Sequence, residues 1–257
     1  MGNDHRASRA WADGHADPLF CRGGMQFAER WLEADPRIVQ LIHDAGFYGI
    51  YRIAHIQLDW HLVTALVERW RPETHTFHLP HGESTVTLQD VAVLFGLPID
   101  GRVVTGRTAG LVEGLIDRQG RVALRTMCER LLGIVPPHSE LVGARIRMRF
   151  LEGDMFRELP EDANAQTIAC HVRAHLLRLM CGVIFSDISG SYAHLMFPPL
   201  LEDFGACHSY NWGFATLAWL YREMCRTVHY SKTQITGPLR LLQVWAWERF
   251  ASFTLTR

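Results

Sequence analysis

Hydrophobic positions along most of the chain recur every three or four residues, the spacing that lines one face of a helix. One short segment departs from this period. Residues 76–79 alternate, and a turn at 81–83 leads to a return strand at 84–87, so a β-hairpin is predicted near residues 76–87. Helices are predicted over 36–45, 58–69, 88–95, 109–118, 121–133, 138–150, 167–185, 212–229 and 238–250, with a broken helix over 192–203. The predicted fold is mainly α: a multi-helix single globular domain with one small β-hairpin.

Two of these helices carry clear end signals. Asp35 is placed as an N-cap, and Pro36 suits the first helical position, where its missing N–H costs nothing. Thr87 and Asp90 resemble a capping box, with Asp standing in for the usual Glu or Gln. Gly96 suits a left-handed helix end, so this helix is predicted to stop there.

The length of 257 residues is enough to bury a sizeable core. Residues 1–24 are polar and charged without a hydrophobic period, so they are predicted to form a flexible leader, and residues 25–257 the folded domain. The stretch after Leu151 is acidic and contains Pro160, which predicts a long surface loop or a subdomain boundary near 151–165.

The composition is that of an ordinary globular protein and disfavours several other classes. Hydrophobic residues make up 48% and charged residues 21%, and the net charge of −1 gives no overall basic signature of nucleic-acid binding. No secretory signal opens the chain, and the apolar run 176–185 is too short to cross a membrane. The six cysteines include no CxxC pair. We therefore expect reduced thiols, an intracellular location and no membrane association.

A metal site is one alternative that the residues leave open. His171 and His175 lie four residues apart on a predicted helix, a spacing at which two imidazoles can share a metal, and Cys170 is adjacent. Val172 stands where a zinc protease would carry its glutamate, and no compact third ligand is evident. The pattern therefore favours histidines on a helix surface or partly in the core.

The arginines and tryptophans include candidate interaction residues. The predicted helix 138–150 carries Arg145, Arg147 and Arg149. On a helix Arg145 and Arg149 share a face, and they could meet phosphate or the acidic stretch that follows. Trp245 and Trp247 cannot both face the same side of a helix, so one of them is available for a partner contact. Helical spacing of the surrounding aromatic residues favours packing in the core for most of them.

Two long blocks carry a resemblance to a known family. They are ERWRPETHTFHLPHGESTVTLQDVAVLFGLPIDGRVVTG at 68–106, and 211–250, which begins NWGFATLAWLY and ends VWAWERF. Together they resemble the plant mobile domain family, which includes the MAINTENANCE OF MERISTEMS proteins. Asn211 and Phe214 depart from the pattern, where serine and a small residue are expected. Members are also labelled aminotransferase-like, but Lys232 is the sole lysine that could form a Schiff base, and no phosphate cradle accompanies it.

The resemblance implies a nuclear role in meristem maintenance, genome stability and the silencing of transposable elements and genes. It also implies a phosphatase-like protein partner, and it supplies no catalytic residues to transfer. We therefore expect a non-enzymatic protein that needs no cofactor and binds a protein partner or chromatin. One alternative is a transposon-derived protein that binds nucleic acid directly; the other is a cryptic metal-dependent enzyme that uses His171 and His175.

Overall fold

Helices dominate the architecture. The computed structural model describes residues 5–8, 17–22, 35–105, 118–155, 159–186 and 188–250. Within these ranges the helices are α1 Pro36–Asp44, α2 Tyr48–Ile53, α3 Trp60–Arg69, α4 Leu88–Phe95, α5 Arg118–Leu132, α6 Met148–Met155, α7 Ala165–Leu179, α8 Phe204–Cys207, α9 Trp212–Thr227 and α10 Leu239–Arg249. A π-helical turn, Met180–Ile184, continues α7. The mainly α prediction agrees with this architecture, although residues 109–117 of one predicted helix lie outside the described ranges.

Three small sheets accompany the helices where one hairpin was predicted. Their strands are β1 Phe20–Cys21, β2 Trp70–Arg71, β3 Thr76–Leu79, β4 Gly82–Ser84, β5 Leu141–Val142, β6 Arg145–Arg147, β7 Tyr192–His194 and β8 Gln234–Ile235. The parallel pair β1–β8 forms one sheet, and the antiparallel sets β2–β3–β4 and β5–β6–β7 form the others. The predicted hairpin is confirmed as β3–β4, but its return strand begins at Gly82 and not at Ser84.

Helix ends follow the local signals in the sequence. The Asp35 side chain accepts a hydrogen bond from the Arg37 amide at 2.8 Å and caps α1. At α4 the capping box is complete, since Thr87 Oγ1 accepts from the Asp90 amide at 3.2 Å and the Thr87 amide donates to Asp90 Oδ2 at 2.8 Å. Gly96 ends α4 with a φ of 66°, in the left-handed region.

The core surrounds α7. From Val172 to Leu179 every residue of this helix is buried, and the helix packs against α1, α5 and α6. The stretch Ala165–Ile184 is long and apolar enough to cross a membrane by length and composition, but 78% of its most apolar window is buried inside the fold. Burial of this kind is typical of a central core helix.

Two predicted helices are wrong. Residues 138–150 form a 3₁₀ turn at His138–Glu140, the strands β5 and β6, and only the start of α6. Residues 192–203 form β7 and a 3₁₀ turn at Pro198–Leu201. Strand pairing between these two distant segments overrides the helical period, because pairing buries Ile146 and Ala193 together on the core side of the sheet.

Part of the predicted leader is packed against the core. Leu19 is fully buried, and β1 pairs with β8 through Phe20 and Cys21. Residues 5–8 also pack, with a bridge between His5 and His229; the remaining residues of 1–24 lie outside the described ranges. The subdomain boundary near 151–165 stays a prediction, although α6 and α7 on either side of it pack together.

Candidate functional site

The sheet β5–β6–β7 separates the core from a polar outer surface. Ile146 of β6 is fully buried and pairs with the buried Ala193 of β7. Neighbouring positions on a strand point to opposite faces, and cross-strand partners share a face. The outer side therefore carries two paired positions, Arg145 with His194 and Arg147 with Tyr192. We call these four residues the arginine–tyrosine face.

Both arginines of this face lie over the same aromatic ring. The guanidinium carbon of Arg145 is 5.2 Å from the centroid of the Tyr192 ring, and that of Arg147 is 5.5 Å away. At partly exposed sites each cation–π contact contributes about 0.5–1 kcal/mol. Tyr192 therefore holds two cationic side chains on one surface of the sheet.

The Glu140 carboxylate borders this face. Glu140 Oε1 lies 3.2 Å from Arg149 Nη2, and Glu140 Oε2 lies 3.8 Å from Arg147 Nε. The Arg149 side chain is 72% exposed, so this ion pair is screened by water and weakly stabilising. Glu140 is thus shared between the guanidinium groups of Arg147 and Arg149, and Arg145 lies on the same face of the sheet as Arg147.

The sequence predicted Arg145 and Arg149 as interaction residues on one helix. The structure brings them to the same region by another route, with Arg145 on β6 and Arg149 in the first turn of α6. It also adds Arg147, which the helical prediction placed on a different face, and Tyr192, which the sequence analysis missed. Alternation around the buried Ile146 was the signal for Arg147, whereas Tyr192 joins only through the long-range pairing of β6 and β7.

A groove lies between α4 and α10. This α4–α10 groove has a volume of about 320 Å³ and is lined by Gln89, Asp90, Val93, Leu94, Trp245, Glu248 and Arg249. Arg249 Nη2 donates to Asp90 Oδ1 at 2.8 Å. The pKa of Asp90 is lowered because hydrogen bonds from Thr87 and Arg249 favour the carboxylate and outweigh desolvation, so this group is ionised at neutral pH.

The two tryptophans of α10 differ in burial. Trp245 is fully buried. Its ring lies 5.1 Å from that of Phe77 in a tilted arrangement, and 5.8 Å from that of Phe250 in an edge-to-face arrangement. Trp247 is partly buried and packs against the core. Trp245 is therefore the core tryptophan of α10, and it also forms part of the wall of the α4–α10 groove.

Comparison with protein-family models finds the plant mobile domain matching residues 46–256. The chain belongs to the plant mobile domain family. A search of solved structures finds no match. Curated relatives do match, all from Arabidopsis thaliana.

One relative, the "serine/threonine-protein phosphatase 7 long form homolog", is 45% identical over 96% of this chain and 18% of its own length. The protein MAIN-LIKE 1 is 38% identical over 95% of the chain and 46% of its own length. The protein MAINTENANCE OF MERISTEMS is 36% identical over 89% of the chain and 45% of its own length. The chain therefore spans less than half the length of each of these relatives.

The two sequence blocks of the plant mobile domain meet in space. The amide of Gly213, at the start of α9, donates to the Pro98 carbonyl at 2.8 Å. A Cβ at position 213 would lie 2.7 Å from Ile99 Cγ2, so glycine is required by this close approach. Asn211 joins the same contact, since its Nδ2 donates to the Ile99 carbonyl at 2.7 Å and its Oδ1 accepts from the Phe214 amide at 2.8 Å. Asparagine thus caps α9 and also ties the blocks together.

The two histidines considered as metal-ligand candidates, His171 and His175, differ in their contacts and burial. His171 Nδ1 is 2.9 Å from the Thr167 carbonyl of its own helix. His175 is buried, and its pKa is lowered to about 3, by burial first and then by the nearby charges of His171 and Arg178. Within the described residues, no group of three or more His, Cys, Asp or Glu side chains is placed to hold a metal ion.

Three buried cysteines, Cys21, Cys128 and Cys207, are poorly activated as nucleophiles. Burial raises the pKa values of the Cys21, Cys128 and Cys207 thiols to about 12, with the Asp59 carboxylate adding to the rise at Cys21. These thiols are therefore protonated at neutral pH, and the thiolate is the reactive form. Lys232 lies exposed in the turn between α9 and β8, and its carbonyl accepts from Arg6 at 3.2 Å.

Proposed function

We propose that this chain is a non-enzymatic binding module of the nucleus, which holds a protein partner or chromatin. In that role it supports meristem maintenance, genome stability and the silencing of transposable elements and genes. Membership of the plant mobile domain family and similarity to the protein MAINTENANCE OF MERISTEMS support the proposal. The observation that carries it is the arginine–tyrosine face.

This face suits an anionic partner. A guanidinium group presents several N–H donors in one plane and can bind carboxylate or phosphate through two parallel hydrogen bonds. Arg145 and Arg147 are held side by side by Tyr192, so less side-chain freedom is lost when they bind than for isolated arginines. Arg149, at 72% exposure, can extend the same contact.

The preferred partner is an acidic surface of a phosphatase-like protein. The name of the relative that is 45% identical, a long-form serine/threonine phosphatase 7 homologue, supports this choice. The chain matches only 18% of that relative, so most of that protein lies outside the matched region and is available as a partner in this proposal.

Direct binding of nucleic acid is a second candidate function. The same three arginines could contact phosphates, and the Tyr192 ring or the guanidinium planes could stack on unpaired bases. The net charge of −1 for the whole chain argues for a local rather than a global electrostatic contact.

Two parallel binding assays test the two candidate functions. Fluorescence anisotropy would be measured with labelled single- and double-stranded DNA and RNA at two salt concentrations. In parallel, the unmatched part of the phosphatase 7 long-form homologue would be immobilised and its binding to this chain measured. We expect the double variant Arg145→Ala, Arg147→Ala to weaken binding at least tenfold, because buried or partly buried charged hydrogen bonds contribute about 1.5–3 kcal/mol each.

Arg69→Ala is the matched control, since Arg69 is exposed at the end of α3 and its Nη1 contacts only its own helix at the Ala65 carbonyl among the described bonds. Binding to nucleic acid that falls steeply with salt would assign the function to phosphate contacts. Binding to the protein alone would support the leading proposal. Equal affinities for the double variant and the wild-type chain, with either ligand, would remove the arginine–tyrosine face from the function.

A further inference from the structure

A cavity lies where β1, the start of α3, the π-helical turn and α10 meet, and we call it the β1–α3 cavity. It has a volume of about 590 Å³, and its lining includes Phe20 of β1, Arg22 just after it, Asp59 and Trp60 at the start of α3, and Arg240 of α10. Sites for small molecules are typically about 300–1,000 Å³ in volume and combine apolar walls with a few polar groups. The size and the mixed lining of this cavity therefore suit a small molecule.

Two aromatic rings of the lining pack against each other and are also open to solvent. The ring centroids of Phe20 and Trp60 are 4.7 Å apart in an edge-to-face arrangement. Phe20 is nevertheless 42% exposed and Trp60 39% exposed, unlike the fully buried Trp70 and Trp212. Each ring is thus held in place by the other while part of its apolar surface stays in contact with water. A flat ring that enters the cavity covers this surface and adds a further aromatic contact.

The guanidinium group of Arg22 lies beside these rings. Its carbon is 4.9 Å from the centroid of the Phe20 ring, and its Nε donates to Gln234 Oε1 at 3.1 Å. Both contacts are with neutral groups, and Arg22 forms no ion pair with any residue that the structure describes. A guanidinium group binds carboxylate or phosphate through charge-assisted hydrogen bonds. Arg22 therefore favours an anionic group in the same cavity as the two rings.

Two other charged residues of the lining affect this preference. Arg240 is a second cation, buried, with its Nε donating to the Ile56 carbonyl at 3.0 Å. Asp59 opposes an anion, but its Oδ1 accepts from the Leu62 amide at 3.0 Å and caps α3, where the helix dipole offsets part of its charge. Asp59 is also exposed, so water screens its charge more than that of the half-buried Arg22.

We propose that the β1–α3 cavity binds a small aromatic molecule that carries an anionic group. The aromatic ring of the ligand packs against the exposed surfaces of Phe20 and Trp60, and its anionic group accepts hydrogen bonds from the Arg22 guanidinium. The site shares no residue with the arginine–tyrosine face and goes beyond the proposed function. Neither the family match nor the names of the relatives assign a ligand of this kind.

The test uses the full chain labelled with ¹⁵N and the probe 2-naphthoate, which carries two fused aromatic rings and a carboxylate. The indole N–H signal of Trp60 is followed by NMR and assigned from its absence in Trp60→Phe. We expect this signal to shift on titration, because the ring current of the bound probe acts on it, with saturation at about millimolar probe. The neutral analogue 2-naphthylmethanol should bind about tenfold more weakly, because it forms no charge-assisted hydrogen bond with Arg22.

Two pairs of matched variants locate the site. Phe20→Ala removes one exposed ring and should weaken binding of both probes, whereas Phe214→Ala, at a 50% exposed phenylalanine outside the cavity lining, should leave it intact. Arg22→Gln should abolish the preference for 2-naphthoate over the neutral analogue. Arg222→Gln is its control, because the Arg222 guanidinium carbon also lies 4.9 Å from a ring centroid, that of Trp219, outside the lining.

An indole signal of Trp60 that stays unmoved up to the solubility limit of 2-naphthoate overturns the proposal. So do equal affinities for the charged and the neutral probe, because Arg22 would then contribute nothing to binding. A titration that is the same in Phe20→Ala and the wild-type chain also overturns it. Failure here is distinguishable from failure of the proposed function, which the double variant at Arg145 and Arg147 tests by itself.

Discussion

At the scale of single residues, His175 couples the stability of the core to pH. It lies buried in α7 with a folded-state pKa of about 3 against an ordinary value of 6.5, chiefly because burial disfavours the charged imidazolium. The unfolded chain therefore binds the proton more tightly, and stability from this residue is complete above pH 6.5 and is lost as pH falls towards 3. We expect the free energy of unfolding at pH 5 to be about 2 kcal/mol lower than at pH 7 through this group alone.

Urea denaturation at pH 7, 6 and 5 measures this effect. His175→Gln removes the titrating group, so its stability should depend less on pH than that of the wild-type chain, whatever its stability at pH 7. His43→Gln is the control, since the His43 side chain is 66% exposed on α1. Parallel pH profiles for the wild-type chain and His175→Gln would show that His175 is not buried as a neutral ring.

At the scale of elements, α10 determines which tryptophan the core requires. Trp245 is fully buried between Phe77 and Phe250, whereas Trp247 is only partly buried. We expect Trp245→Ala to lower the free energy of unfolding by about 3–5 kcal/mol, the cost of deleting a large buried aromatic side chain. Trp247→Ala should cost clearly less, because less of its surface leaves water on folding. Urea denaturation midpoints of the two variants measure the difference.

A larger loss for Trp247→Ala than for Trp245→Ala would reverse this assignment. The sequence could not decide between the two, because α10 has no clear polar face. Arg240 and Gln243 are buried together with the leucines, so the apolar stripe that normally shows the inner side of a helix is missing.

Helices and strands were predicted best where the residues that determine them lie within the same short segment. The helix α4 was predicted closely, because its capping box and Gly96 act within a few residues. The segment that became β5 and β6 was predicted as a helix, although Gly143, with a φ of 59°, supplies a turn and Ile146 alternates with its neighbours. Pairing with β7, some 45 residues later, decides that conformation.

The same limit applies to the candidate site. Arg145 and Arg149 were predictable as a pair of nearby cations. Tyr192 was not, because only the fold places it across from Arg147. The sequence also does not show that the buried indole N–H of Trp245 has no acceptor among the described residues, because this depends on how the surrounding side chains pack. Candidate site residues that lie close together in the sequence can therefore be predicted from it. Site residues that come from distant segments can be identified only once the folded structure is known.

At the scale of the whole molecule, the N-terminal segment is tied to elements from distant parts of the chain. The amide of Leu19 donates to Thr64 Oγ1 of α3 at 2.8 Å, and β1 pairs with β8 just before α10. Arg6 Nε lies 3.6 Å from Glu68 Oε1, and Arg6 Nη1 donates to the Lys232 carbonyl at 3.2 Å. These contacts link the beginning of the chain to α3 and to the connection between α9 and α10.

If this segment is integral to the fold, truncating its buried side chain must destabilise the entire molecule. We expect Leu19→Ala to lower the free energy of unfolding by about 2–5 kcal/mol, because Leu19 is fully buried and the surrounding core cannot collapse completely around the cavity. The neighbouring exposed Asp17 provides the control variant Asp17→Ala. Tryptophan fluorescence and circular dichroism should lose their native signals at one shared urea midpoint, which shifts down for Leu19→Ala. An unshifted midpoint would mean that the core is stable without this segment, and that residues 1–24 are a leader after all.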